Sequence, residues 1–412
     1  MGKEKLPKIT NPFRPGAGHF PPHLAGRDAE RKEFARLLSQ ETIFENAVLT
    51  GLRGLGKTVL LETFKPMAMQ AGWLWAGTDL SESTSISEEN LATRLITDLS
   101  VVTSCIVIGT AEQRRLGFAR EVEQAEVTLN YSTLRTIFDR TPGLIIDKLK
   151  GVLEYVAPYL AGKRGLIFAY DEAQNLADHS AKEQFPLSLL LDLFQSIQRK
   201  NIPFMLVLTG LPTLFPKLVE ARTFAERMFH VIVLAPLSED ETRDAIRKPI
   251  AKDCPVIFAE ESIHLIWKIT KGYPYFIQFV CREVYDVWVQ CLDNDTDPDA
   301  IPIDAILRKL DADFFAGRWS RATDRQRGLL QIIASLSNCD DEFSVQEIIE
   351  SEWNAAIEKP FTGSHVNQML VALIESGLVY KNRHGKYCLA VPLLGSFIRR
   401  VMPSLIDYSP AT

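Results

Sequence analysis

The chain has 412 residues, 46% hydrophobic and 24% charged, enough for two or three domains with sizeable cores. Its net charge of −6 excludes a globally basic nucleic-acid coat and leaves room for one local basic patch. Six cysteines (Cys105, Cys254, Cys281, Cys291, Cys339 and Cys388) have no CxxC spacing, which argues against a zinc site and for reduced thiols in a cytoplasmic protein. No apolar run reaches the ~18 residues of a membrane span, and the opening MGKEKLPKITNPF lacks the apolar core of a secretory leader.

Residues 1–24 read as an N-terminal arm. PPHLAGRDAE (21–30) leads into a helix over 29–38, with Asp28 as its cap. A short apolar strand at 47–49 then enters GLRGLGKT, which fits G-x-x-x-x-G-K-[ST], and VLLETF continues with helical spacing. Strand, glycine loop and helix together make a phosphate cradle from Gly51, Leu52, Arg53, Gly54, Leu55, Gly56, Lys57, Thr58 and Val59. Glycines let successive N–H groups curl around phosphate oxygens, and the helix N-terminus adds partial positive charge. Lys57 would bridge the outer phosphates and Thr58 would ligate Mg²⁺.

WLWAG (73–77) is a further strand, and 81–140 reads as mostly helical or irregular, with no assigned role. GLIIDKLKGVLEYVAPYLA is helical, and the apolar run 166–170 is a buried strand that ends on two carboxylates. Asp171 is suited to Mg²⁺, directly or through water, and Glu172 to activating water as a general base. A solvated acidic turn is the plain alternative. FMLVL (204–208) ends at Thr209, whose hydroxyl either meets the γ-phosphate or attacking water, or caps the turn that follows. Arg227, just before the strand HVIVL (230–234), is either an arginine that stabilises charge on a phosphoryl group in transfer or an ordinary solvated side chain beside Glu226. Strands alternating with helices predict a parallel sheet covered on both faces, with ligands at the carboxyl ends of the strands.

Beyond it, SEDETRDAIRKPI is helical, and GYPYFIQF places Pro274 at a helix start. DNDTDPDAIPID (293–304) reads as an acidic linker, followed by the helix AILRKLDADFF. RQRGLLQIIASLS, FSVQEIIESEW and SHVNQMLVALIESG read as three helices, the last over 364–376 and closed by Gly377. LVYKNRHGKYCLAV reads as two strands about a polar turn. Three helices and a hairpin make a winged helix. Between Arg318 and Pro403 there are ten Lys/Arg against nine Asp/Glu, a weak electrostatic footprint, yet Lys381, Arg383, His384 and Lys386 concentrate on the wing. Ser364, His365, Asn367 and Gln368 open the third helix, where base edges would be met. The alternative is a winged helix that contacts protein.

The order GLRGLGKT, DEAQ, LTG, ERMF, LAPLS and GYPYFIQF resembles AAA+ ATPases of the origin-recognition and initiator type, and the neighbouring STAND-like bacterial and archaeal ATPases. The resemblance spans roughly 22–280 and implies an α/β fold: a P-loop NTPase parallel sheet flanked by helices, then a helical lid and a winged helix. The implied domains are 25–237 (ATPase), 238–316 (lid) and 317–405 (winged helix). It implies ATP and Mg²⁺ as ligands and slow ATP hydrolysis. It further implies adenine packing by 21–30, a sensor role for Thr209 (a position often Asn in initiators), an arginine-finger role for Arg227 and nucleotide approach by Pro274. The last is a departure, since initiators commonly carry a phosphate-touching arginine in that lid helix. The implied partners are duplex DNA, through Lys381, Arg383, Lys386 and the 364–376 helix, and further copies of the chain or another protein. The rival reading is a signalling switch that stores ATP and recruits a protein through its winged helix.

Overall fold

The computed structural model describes residues 10–16, 18–114, 122–294, 296, 301–383 and 385–402. Part of the N-terminal arm, part of the acidic linker and His384 therefore lie outside the described residues. The chain divides into two compact units. One holds Asp28–Gly51 and Lys57–Leu234; the other holds Leu52–Gly56 with the described residues of Met1–Arg27 and Ala235–Thr412.

The first unit opens with α1 (Asp28–Leu38), β1 (Asn46–Thr50), α2 (Lys57–Gln70) and β2 (Trp73–Ala76). It continues through α3 (Glu88–Thr103), β3 (Val107–Arg114), β4 (Val122–Thr128), α4 (Tyr131–Arg140) and α5 (Ile145–Val156). It closes with β5 (Gly165–Tyr170), α6 (Pro186–Gln198), β6 (Phe204–Gly210), α7 (Leu214–Ala221), α8 (Ala225–Met228) and β7 (Phe229–Val233). Five strands form one parallel sheet in the order β2-β5-β6-β1-β7. Every residue of β1, β5 and β6 is buried. Their sequences are apolar at the centre, with polar residues only at the ends, because helices cover both faces of a parallel sheet. Phe34 of α1 stacks on Phe64 of α2 at 4.0 Å. Phe168 of β5 meets Phe194 of α6 edge-on at 5.4 Å.

The expectation for 81–140 was incomplete. Between α3 and α4 stands an antiparallel hairpin, β3 paired with β4. Helix α1 also takes in Asp28 as a first-turn residue instead of leaving it outside as the cap; assignments differ by a residue at such ends.

In the second unit, α9 (Glu239–Arg247) starts on a reciprocal cap: Ser238 Oγ accepts from Glu241 N–H at 3.3 Å, and Glu241 accepts from Ser238 N–H at 2.8 Å. Then come α10 (Glu260–Thr270), α11 (Pro274–Asp293), α12 (Ile303–Leu310), a π turn (Asp311–Phe315) and α13 (Ala316–Trp319). Gly272 joins α10 to α11 at φ +73°, and a Cβ there would lie 2.1 Å from the Leu237 carbonyl oxygen, so only glycine fits. The rest is α14 (Asp324–Ser335), α15 (Val345–Glu350), α16 (Glu352–Ala356), α17 (Gly363–Glu375), the antiparallel hairpin β8 (Val379–Arg383) and β9 (Lys386–Leu389), and α18 (Leu394–Val401). The segment read as one helix, FSVQEIIESEW, is two. Ser351 leaves helical geometry (φ −66°, ψ 140°) and its hydroxyl caps α16 through Asn354 N–H at 3.2 Å. α18 lies beyond the segments read from sequence. One core runs from Phe13 through Phe276 and Phe315 to Phe397, with Phe315 stacked on Phe397 at 4.9 Å.

Candidate functional site

The carboxyl ends of β1, β5 and β6 carry the chemistry of the first unit. β1 delivers Gly51, and α2 begins at Lys57, whose ammonium donates to the Gly51 carbonyl at 2.9 Å. Thr58, one residue on, donates its hydroxyl to Asp171 Oδ2 at 2.5 Å. The glycine-loop helix and the acidic end of β5 thus converge on one point, 113 residues apart in sequence.

Asp171 is 4% exposed. Burial pushes its pKa up; the Thr58 hydroxyl and the Glu172 N–H pull it down, and the Glu172 and Asp79 carboxylates push it up again. The Glu172 N–H donates to Asp171 Oδ1 at 2.8 Å, so both carboxylate oxygens already accept a bond. Glu172 itself is exposed and holds φ +52°, the left-handed region that non-glycine residues enter at a cost. With Asp171 buried and Glu172 exposed, the two adjacent acids have two environments. Gln174 donates its amide to the Glu172 carboxylate.

Tyr170 pairs in register with Leu208, which makes Asp171 and Thr209 the next residues out along neighbouring strands. Thr209 is fully buried and its hydroxyl has no hydrogen-bond partner among the described residues. A buried hydroxyl normally has one. An orphan at this strand end fits a ligand oxygen or a water held by a ligand.

Arg227 lies on α8, exposed, with no side-chain hydrogen bond or ion pair among the described residues. Arg222 on α7's far end contrasts with it, bound in fork geometry to Asp192 at 2.8 and 2.7 Å.

In the second unit lie Leu52, Arg53, Gly54, Leu55 and Gly56, together with Pro274. Gly54 and Gly56 sit at φ +82° and +85°, left-handed conformations that glycine enters without a Cβ penalty. Leu55 is buried and Arg53 is exposed. Pro274 occupies the first turn of α11, and the next N–H, of Tyr275, donates to the Gly54 carbonyl at 3.1 Å. Sequence reasoning passed over Arg27. It is 5% exposed and donates to the carbonyls of Leu55 at 3.1 Å and Ala235 at 3.0 Å. Its only sequence signal was its place in the segment assigned to adenine.

A family model described as a domain of unknown function (DUF8462) matches residues 312–398. No curated protein matches the chain. Among solved structures, the ORC2 protein of Aeropyrum pernix in its ADP form is 14% identical with a TM-score of 0.51, covering 96% of this chain and 97% of that one. The ADPNP–ADP complexes of the same protein give 14% identity and a TM-score of 0.50, over 94% and 96%. The ORC1 protein of Aeropyrum pernix in complex with DNA gives 16% identity and a TM-score of 0.47, over 94% and 95%. The first two likenesses show the fold: an AAA+ type α/β sheet flanked by helices and followed by a helical C-terminal region. No described helix is long and apolar enough to cross a membrane.

Proposed function

We propose that this chain is an Mg²⁺-dependent ATPase of the AAA+ class that works as a nucleotide-gated switch or assembly factor, with duplex DNA as its target. The observation that carries this reading is the 2.5 Å contact between Thr58 Oγ1 and Asp171 Oδ2, with Lys57 one residue away and an orphan Thr209 hydroxyl on the next strand. A hydroxyl and a buried carboxylate in contact are the donor pair that Mg²⁺ takes beside nucleotide phosphates. Among the described residues no group of three or more His, Cys, Asp or Glu is gathered to hold a metal ion.

In this reading the backbone of Gly51 to Gly56, with Lys57, Thr58 and Val59, holds the phosphates. Thr58 and Asp171 hold Mg²⁺, whose bound chemistry is charge neutralisation on the phosphoryl oxygens. Glu172 takes the proton of attacking water, Thr209 orients that water or the terminal phosphate, and an exposed, unpaired Arg227 is available to a neighbouring copy's nucleotide. Tyr275 touches the loop through the Gly54 carbonyl, and Pro274, just before it, approaches the nucleotide. The working domains are 1–24, 25–237, 238–316 and a winged helix over 317–405, acting in the cytoplasm. The test is nucleotide binding with Mg²⁺ by wild type and Lys57→Ala. Binding by the first and loss by the second is expected; equal affinity would sink the proposal. Light scattering with and without ATP and duplex DNA then reports assembly and DNA engagement together.

One observation favours the second reading, a STAND-like switch with slow turnover and a protein partner. Two of the three wing cations are already matched: Arg383 binds Glu342 at 2.8 and 2.6 Å, and Lys386 reaches Glu347 at 3.1 Å. That reading predicts no shift of duplex DNA at any salt.

A further inference from the structure

The acid at the end of β5 is tied to the end of β6 by the side chain of Gln174. Gln174 lies in the short 3₁₀ turn Ala173–Asn175. Its amide nitrogen donates to Glu172 Oε2, and its amide oxygen accepts the Leu211 N–H at 3.1 Å. Its own backbone carbonyl accepts the Lys217 ammonium of α7 at 2.8 Å. A half-buried carboxamide thereby has both ends engaged, one on the acid and one on the residue that follows β6. Gly210, the last residue of β6, does not hold a left-handed φ, and a Cβ there would lie 2.5 Å from Gln174 Oε1 and 2.9 Å from Leu214 Cδ2, so a side chain would have to shift to admit it. A Cβ at Gly210 would thus press on the glutamine's amide where it now stands, and it would do so through contact, not through backbone strain.

We propose that Gln174 is a positioning residue. It fixes the Glu172 carboxylate against the end of β6, the strand that carries Thr209, so that acid and sensor hydroxyl keep one relative placement. The inference rests on the reading of Glu172 as the base for ATP hydrolysis. An exposed carboxylate on a turn samples several rotamers, and a bond to a clamped amide removes that freedom at one oxygen while leaving the other to accept a proton. Precise placement of a general base, more than its mere presence, sets its contribution. The strained backbone of Glu172 agrees with this, since a left-handed glutamate persists where its surroundings over-determine it.

The test is a mutant cycle read as kcat and KM for ATP, with nucleotide affinity measured separately. Gln174→Ala removes the clamp from inside, and Gly210→Ala displaces it from outside. Both should lower kcat by ~10–100-fold, the worth of one hydrogen bond to a charged group, with KM and nucleotide affinity unchanged. In a Glu172→Gln background, Gln174→Ala should cost nothing further, because a residue that acts only through Glu172 has nothing left to act on. A structural role would instead add its loss in both backgrounds. If Glu172→Gln stops turnover while Gln174→Ala and Gly210→Ala keep wild-type kcat, the clamp is overturned and the base reading stands. If Glu172→Gln itself hydrolyses at the wild-type rate, or the wild type does not hydrolyse ATP, the base reading falls and the clamp falls with it.

Discussion

Glu172→Gln isolates chemistry from architecture at this site. Gln has the length and planar head of Glu, so the contact with Gln174 survives through the amide oxygen, and the N–H that donates to Asp171 is backbone and untouched. The cost of holding φ +52° at this residue is common to both proteins and cancels. What changes is the ability to accept a proton from water. General-base participation is worth ~10²–10⁴ in rate, or about 2.7–5.5 kcal/mol at about 1.36 kcal/mol per decade. The expected outcome is therefore a fall in kcat of ~10²–10⁴, with nucleotide affinity within about threefold of wild type. Single-turnover hydrolysis at saturating Mg–ATP measures the first, and titration with a fluorescent nucleotide the second. Glu172→Gly is the companion: it loses the same chemistry but relieves the left-handed strain, so its nucleotide-free form should melt higher, by about 1 kcal/mol of stability. A kcat within threefold of wild type for the glutamine variant refutes the base. A parallel loss of rate and affinity refutes it too, because that pattern belongs to ground-state binding.

Gly272→Ala should lower the melting temperature, by about 3 kcal/mol or more of stability, since the new Cβ meets the Leu237 carbonyl and the backbone is left-handed; an unchanged melt refutes the close approach. Asp171→Asn should raise the melting temperature of nucleotide-free protein at neutral pH while abolishing Mg²⁺-dependent hydrolysis. Burial raises this carboxyl's folded-state pKa, so its ionisation costs stability as pH rises through that raised value. The gain from Asn should accordingly shrink as pH falls toward the unfolded carboxylate pKa of about 3.9, and a gain that grows in acid refutes the sign. Glu342→Gln should free Arg383 and steepen the salt dependence of duplex binding by about 0.9 in log–log slope; an unchanged slope in gel-shift titrations removes Arg383 from the DNA interface.

The legible part of this molecule is the part written in local order. All five strands of the parallel sheet were readable as apolar runs, most plainly the three central ones that are buried throughout, and the glycine spacing marked the loop in which Gly54 and Gly56 take φ +82° and +85°. The Thr58–Asp171 convergence was inferable because a phosphate loop demands an acid at a neighbouring strand end. The β3–β4 hairpin escaped because its sequence, VIGTAEQR against VEQAEVT, is polar and carries no clean alternation. The break at Ser351 escaped because a serine within an apolar-periodic segment reads equally as helix interior and as cap. Gln174 was quoted within DEAQ and not singled out, since its second partner, Leu211, lies 37 residues further along.

Charge illustrates the same limit at the C-terminal hairpin, and there it bears on function. The sequence displays the sign of Lys381, Arg383 and Lys386 but not the carboxylates folded against them, which stand 41 residues away from Arg383 and 39 from Lys386. With those two engaged, Lys381 is the wing cation left exposed and without a carboxylate partner among the described residues. Counterion release scales with phosphates neutralised, so a wing offering one free cation supports a log–log salt slope near −0.9, and three would support about −2.7. Affinity for duplex DNA through the wing alone is then slight. If DNA is the target, the exposed polar start of α17, with Ser364, His365, Asn367 and Gln368, must supply the binding through base and backbone contacts. If it is not, the paired charges make a near-neutral face suited to a protein, and the measured slope tells the two apart.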